Sequence, residues 1–354
     1  MIHLKRELAA GLDGPTPDLN AVMTALQNAI ELEHATIPLY LYALYSLDEA
    51  RNADIAEILD SVVIEEMLHM TLACNVLNAL GGTPQIDTPN FIPPYPGALP
   101  GGVEAGLTVQ LAPFSMTQLD AFLTIESPED KDKLNFKTML TDADEPLTIG
   151  KFYRLIQQAI GLLGDGAFAP GPRNQVGPDL MPEAVVVTDV ASAQAALEVI
   201  IEQGEGTTNS PLEVVGSDYA HYYRYMQIKK GHRLVPTPNG GPNPEDKYAY
   251  SGAPISLDTA GVYAAPVQGV NFSYPAGSPQ AVANETFNYT YTSLLKSLHA
   301  MFGGDNSQAQ FRRALGLMMS LKSQAKAMMS GLPNPAIIAG PTFQYQPVNP
   351  LTGA

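Results

Sequence analysis

Basic residues are scarce in this chain. Its 354 residues include 19 Lys and Arg against 36 Asp and Glu, a formal net charge of -17. A field of this sign repels nucleic acid phosphates and anionic membrane surfaces. We therefore expect no nucleic acid and no membrane among the partners, and a small-molecule substrate or a metal cation in their place. A homo-oligomer is left open.

Cysteine is almost absent, since Cys74 is the only one. A single cysteine excludes an internal disulfide framework, and its place in an apolar helical pattern indicates a buried thiol without chemistry of its own. No apolar run reaches the roughly 18 residues that a membrane span needs. Residues 1–7 are not followed by the apolar stretch of about 7 to 15 residues typical of a secretory signal. We expect a cytoplasmic protein.

Hydrophobic residues make up 45% of the chain, enough for a sizeable core. Their spacing predicts a mainly α-helical fold, because apolar side chains recur every three to four residues over long segments. Asp18 is suited to cap the first of these segments, and Pro38 should kink it. Four helices are expected to form a bundle, over 18–47, 53–80, 190–203 and 217–230.

Proline and glycine concentrate between these segments and predict long loops that cover the bundle, over 83–110, 164–182 and 234–280. Shorter amphipathic stretches predict accessory helices near 116–125, 148–163, 282–302 and 307–330. The simplest organisation is one domain over 1–354, in which 234–354 supplies covering loops and two C-terminal helices.

Three polar residues interrupt the apolar stripes of the first two helices. Glu33 falls between Ile30 and Ile37, and Glu66 with His69 occupies positions where the second stripe requires apolar residues. A carboxylate buried without a partner costs several kcal/mol or becomes neutral. Two inward carboxylates and an imidazole therefore predict a bound metal ion.

The third and fourth helices offer further donors. Carboxylate proteins built on four-helix bundles take one Glu from each of two helices and a Glu-x-x-His pair from each of the other two. Here Glu202 or Glu205 matches the second single Glu, and Asp218-x-x-His221 has the spacing of the second pair. Asp218 is shorter than Glu and close to a helix start, so ligation and helix capping are both open for it. The site holds one or two ions.

Imidazole and carboxylate donors without thiolates favour iron, with manganese or zinc next.

Several segments resemble the ferritin-like region of the iminophenyl-pyruvate dimer synthases, the enzymes that couple two aryl imines in violacein and rebeccamycin biosynthesis. The resemblance covers most of the chain and lies in residues 31–46, 65–70, 202–206, 221–224 and 339–343. It implies a ferritin-like fold, iron dependence and oxidative chemistry on amino-acid-derived substrates.

Two functions follow as hypotheses. The first is an iron-dependent oxidoreductase that acts on a small organic substrate beneath the loops 83–104 and 234–280. The alternative is a non-catalytic metal-binding or scaffold protein that keeps the bundle. A substrate-sized pocket that opens onto the metal would favour the enzyme, and a sealed site would favour the alternative.

Overall fold

A computed structural model describes residues 3–101, 107–128, 147–205, 218–238, 247–270, 272–332 and 334–350. This part of the chain contains eight α-helices and two short strands, so the fold is mainly helical, as predicted. The helices are α1 (Leu19–Tyr45), α2 (Ala53–Ala79), α3 (Met116–Ile125), α4 (Ile149–Leu163), α5 (Val190–Glu205), α6 (His221–Lys230), α7 (Pro279–Phe302) and α8 (Gln308–Ser330).

Helices α1 and α2 pack along each other and form the hairpin at the centre of the fold. The Asp18 side chain accepts a hydrogen bond from the backbone N–H of Asn20, which caps α1 as the sequence predicts. The helix continues through Pro38, although that residue removes one backbone donor. Both helices are buried along most of their length, because other elements pack around them.

Around this hairpin, α5 packs on α2 and α4, α4 also contacts α1, and α6 contacts α2, α3 and α5. The accessory helices α3 and α4 lie against the bundle and bring Glu126 and Tyr153 to its interior. Helix α6 begins at His221 and not near 217, and its N-cap is Ala220.

The loop between α4 and α5 is fixed to α2 by a buried amide. Asn75 Nδ2 donates to the carbonyls of Val176 and Val185, at 2.8 and 2.9 Å, and its Oδ1 accepts from the Val176 N–H at 3.0 Å. The two backbone groups of Val176 would otherwise be buried without a partner, which explains an amide inside an apolar helix face.

The segment 234–280 is more regular than its composition predicts. Strands β1 (His232–Pro236) and β2 (Tyr248–Pro254) pair in antiparallel fashion, with Leu234 opposite Tyr250. We had expected irregular covering loop throughout. The proline- and glycine-rich composition did not indicate this hairpin. Gly252 lies so close to Val235 and Arg233 that a β-carbon at this position would clash, which explains one of the glycines.

Helices α7 and α8 form a second hairpin that packs against α2 and α1. The final segment returns to the core at Gly340, where a β-carbon would lie 1.9 Å from the Tyr42 hydroxyl oxygen. Cys74 is buried, and burial raises the pKa of its thiol well above the ordinary value. None of the helices in the described residues is both long enough and apolar enough to span a membrane.

Candidate metal centre

Two groups of metal-ligating side chains meet inside the bundle, among the residues that the structure describes. The first, here called the His69 group, consists of Glu33, Glu66 and His69, all of them buried. His69 Nδ1 lies 3.3 Å from Glu33 Oε2. Because α1 and α2 supply these side chains from facing positions, the interrupted apolar stripes of the sequence converge on one point.

The second group, here called the His221 group, consists of Glu66, Glu126 and His221. His221 Nδ1 lies 3.1 Å from Glu66 Oε1 and 3.4 Å from Glu126 Oε2. Glu126 is the residue at which α3 ends, and His221 is the first residue of α6. Glu66 therefore belongs to both groups and lies between them.

Distances within the two groups are those of donor atoms around a metal ion. Donors bonded at about 2.1 Å in tetrahedral or octahedral geometry lie about 3.0–3.4 Å apart. His221 Nδ1 is buried without a hydrogen-bond partner, although it faces two carboxylates. In the neutral imidazole this nitrogen directs a lone pair at anionic oxygens, and either a proton or a metal cation between them would relieve the repulsion, so the donor set fits a metal ion.

Hydrogen bonds on the far side of each imidazole set its tautomer. His69 Nε2 is 2.9 Å from Gln203 Oε1, and Gln203 Nε2 donates to Glu183 at 3.2 Å. Because the Gln203 amide donates to Glu183, its oxygen faces His69, and His69 Nε2 must be the donor. The proton on Nε2 leaves the Nδ1 lone pair directed at the carboxylates.

His221 is held in the same way by a charged partner. Its Nε2 lies 3.0 Å from Glu65 Oε2, which also accepts a hydrogen bond from Arg224. Burial raises the pKa of the Glu65 carboxyl, but His221 and Arg224 outweigh it and lower that pKa to about 2. An ionised Glu65 can only accept, so Nε2 of His221 carries the proton and Nδ1 faces the centre.

The carboxylates and imidazoles of the centre shift one another's pKa. Burial, reinforced by the charges of Glu126 and Glu33, raises the pKa of Glu66 to about 7 despite the opposing effect of His221. Burial lowers the pKa of His221, but the surrounding carboxylates outweigh it and raise that pKa well above the ordinary value. Burial also lowers the pKa of His69, but Glu33 outweighs burial and raises that pKa above its ordinary value. Protons thus compensate the negative charge where a metal cation would do so.

Hydroxyl groups orient each carboxylate of the centre. Tyr153 donates to Glu33 and Tyr40 donates to Glu126. The Thr36 hydroxyl oxygen lies 3.1 Å from Glu66 Oε2 and 2.8 Å from the Glu33 carbonyl oxygen, so two acceptors share its single proton. The two tyrosines each occupy one lone pair of a carboxylate and leave others for ligation.

A cavity of about 50 Å³ adjoins the two groups. Its other described walls are mainly apolar, and they include Leu99 from the proline-rich loop and Gly204 from α5. On the same measure a water molecule needs about 10–15 Å³, and a cavity of about 150 Å³ binds benzene. The space bordered by the described residues therefore accepts water, dioxygen or peroxide and is too small for an aromatic ring.

The structure brings together four of the residues that the sequence singled out, Glu33, Glu66, His69 and His221. Glu202 is in neither group. It lies two residues before Gly204, which lines the cavity, and so points about 200° away around α5. The side chain of Glu205 lies outside the described residues.

Asp218 is exposed and belongs to neither group. It also does not cap α6, because the N-cap is Ala220 and no side chain caps that end. The Asp-x-x-His spacing predicts a shared helix face only if both residues are helical. Since α6 starts at His221, this condition fails.

Glu126 is the member of the centre that sequence reasoning missed. It follows Leu119 and Phe122 at seven and four residues, so it continues the apolar stripe of α3 with a carboxylate. That is the same pattern that identified Glu33.

Comparison with known proteins identifies the family. A family model described as ferritin-like matches residues 26–230, and the chain belongs to this ferritin-like family. A solved structure described as a ferritin-like protein from Caulobacter vibrioides is similar, with a TM-score of 0.64 and 24% identity over 94% of this chain and 100% of that one. At that identity the likeness shows the fold alone. No curated protein matches.

Proposed function

We propose that this protein binds two metal ions, with iron as the metal, and acts as an oxidoreductase that consumes dioxygen or peroxide. The observation that carries the proposal is the position of Glu66, which belongs to two buried groups that each contain a histidine and a second glutamate. In this arrangement Glu33, Glu66 and His69 would hold one ion, and Glu66, Glu126 and His221 the other. Iron held there would supply redox chemistry toward oxygen or peroxide, and in turnover the electrons would come from the organic substrate.

The protein's own contribution is charge, orientation and space for the oxidant. Three carboxylates would balance much of the charge of two divalent ions, and the hydroxyls of Tyr153 and Tyr40 hold two of those carboxylates in place. The small, mainly apolar cavity leaves room for a diatomic oxidant beside the centre.

For the organic substrate we propose a small amino-acid-derived molecule, of the aryl imine type. This part of the proposal is supported by the resemblance of segments such as 31–46 and 65–70 to the iminophenyl-pyruvate dimer synthases. The cavity gives it no support, because its volume of about 50 Å³ is too small for an aryl group. The same small volume favours the alternative of a non-catalytic metal-binding protein.

Metal analysis and oxygen consumption test the proposal together. Protein loaded anaerobically with Fe²⁺ should contain two ions per chain and consume oxygen when air is admitted. Glu33→Gln should lower the iron content. Glu31→Gln is the matched control, because Glu31 belongs to neither group and accepts a hydrogen bond from Gln27 at 3.1 Å. Two ions without oxygen consumption would favour the non-catalytic alternative, and fewer than two would contradict the dinuclear centre.

A further inference from the structure

The two halves of the centre are closely matched in the residues that would contact the ions. Each half offers one histidine through Nδ1, a share of Glu66, and one further glutamate that accepts a tyrosine hydroxyl. That tyrosine is Tyr153 for Glu33 and Tyr40 for Glu126. Direct ligands alone therefore predict similar affinities for the two ions.

The two halves differ in the group that accepts the Nε2 proton of each histidine. His69 Nε2 donates to the neutral amide of Gln203 at 2.9 Å, and the carboxylate of Glu183 lies beyond that amide on the exposed surface. His221 Nε2 instead donates directly to the carboxylate of Glu65, at 3.0 Å and inside the protein.

A carboxylate that accepts the N–H of an imidazole makes the other ring nitrogen a stronger donor to a metal, and an amide does so less. Arg224 binds the same oxygen of Glu65, Oε2, and offsets part of its charge. The His221 N–H still donates directly to a carboxylate oxygen, which is a stronger acceptor than the neutral amide oxygen behind His69.

From this difference we infer that Glu65 is a positioning residue that makes the His221 group the tighter of two unequal metal sites, so that the ions bind in order, first beside His221 and then beside His69. The inference rests on the two-ion centre of the proposed function and adds an order of loading to it. The partner is a divalent metal ion, and the determinant of the order is the choice of carboxylate or amide behind each imidazole.

Calorimetric titration with Co²⁺ tests the order in the intact chain. The wild-type protein should bind two ions in steps whose Kd values differ by about tenfold or more. His221→Ala should remove the tight step and His69→Ala the weak one. Cobalt absorption should show the same assignment, because the spectrum of the first ion should change in His221→Ala and persist in His69→Ala.

Exchange of the outer partners tests the cause. Glu65→Gln should weaken the tight step by about 10- to 100-fold and leave the weak step within about threefold. Because this change leaves Arg224 buried without its counter-ion, Glu65→Gln/Arg224→Gln removes both charges and should give the same selective loss in a folded protein. A residue with a merely structural role would affect both steps alike.

The reciprocal change is Gln203→Glu with Glu183→Gln. The second substitution is needed because the two side chains are 3.2 Å apart and two carboxylates would repel. This variant should tighten the weak step. Two ions of equal affinity in the wild type, or an unchanged tight step in both Glu65 variants, would overturn the inference and leave the dinuclear centre intact. Binding of fewer than two ions would overturn both.

Discussion

Glu66→Gln should stabilise the metal-free protein at alkaline pH and at the same time abolish ordered metal binding. Glu66 is 3% exposed and adjoins the carboxylates of both groups. Without a cation its charge is unfavourable, which is why burial, with Glu126 and Glu33, raises the pKa of Glu66 to about 7. Glutamine keeps the shape and an oxygen for the Thr36 hydroxyl but carries no charge.

The magnitude follows from linkage between protonation and folding. An ordinary glutamate has a pKa of 4.5, against about 7 for Glu66 in the fold. A raised pKa means that the stability contribution is complete below pH 4.5 and is lost as pH rises through 7. At 1.36 kcal/mol for each tenfold change in acidity, the loss reaches about 3 kcal/mol by pH 8.

Glutamine avoids this loss but also gives up the attraction between Glu66 and His221. We therefore expect a net gain of about 1–3 kcal/mol at pH 8 and under about 1 kcal/mol at pH 5. Urea unfolding in EDTA at the two pH values measures the difference, with Glu31→Gln as the control. With Fe²⁺ present the wild type should instead be more stable than Glu66→Gln, because metal that binds only the folded state stabilises the wild type.

Loss of stability at pH 8 in EDTA, or a gain that does not depend on pH, would show that the charge of Glu66 is already compensated by protein groups. The metal would then not be needed to balance it, and the central argument for the site would fail.

Three further predictions test the centre and the core. Glu126→Gln should remove about one of two bound ions by elemental analysis, whereas Glu202→Gln should remove none. Metal affinity should fall as pH drops from 8 to 6, because protons compete at the shared carboxyl whose pKa is about 7; a flat calorimetric profile would contradict this. Gly340→Ala should destabilise by about 1–3 kcal/mol in urea, since its β-carbon would lie 1.9 Å from the Tyr42 hydroxyl oxygen. The exposed helical Gly316→Ala has free space and should instead stabilise by about 0.5–1 kcal/mol; equal effects would refute the packing argument.

Periodicity in the sequence predicted the long helices and the residues that they carry. The stripes of α1 and α2 are long enough that a misplaced carboxylate such as Glu33 or Glu66 stands out against its apolar neighbours. The structure places both side chains inside, 6% and 3% exposed. The sequence therefore predicted the part of the centre that lies on α1 and α2, because in long, regular helices the position of a side chain depends on helix register alone.

The other half depends on where helices end, which sequence patterns define poorly. Glu126 is the residue after the last turn of α3, and His221 is the first residue of α6. A shift of a few residues in either boundary moves a side chain into or out of the centre. The same error in the start of α6 made Asp218 look like a partner of His221.

The expected glutamate of the third helix is not found among the described side chains of α5, and the side chain of Glu205 lies outside them. The residues of α5 that face the cavity are Ile200, Ile201 and Gly204, and none of these can bind a metal through its side chain. The adjacent Gln203 contacts His69 from behind and does not face the ions. Glu126, the C-cap residue of α3, brings a glutamate to the centre from an element that the expected pattern does not use. The candidate donors must therefore be identified by position in space and not by their order in the sequence.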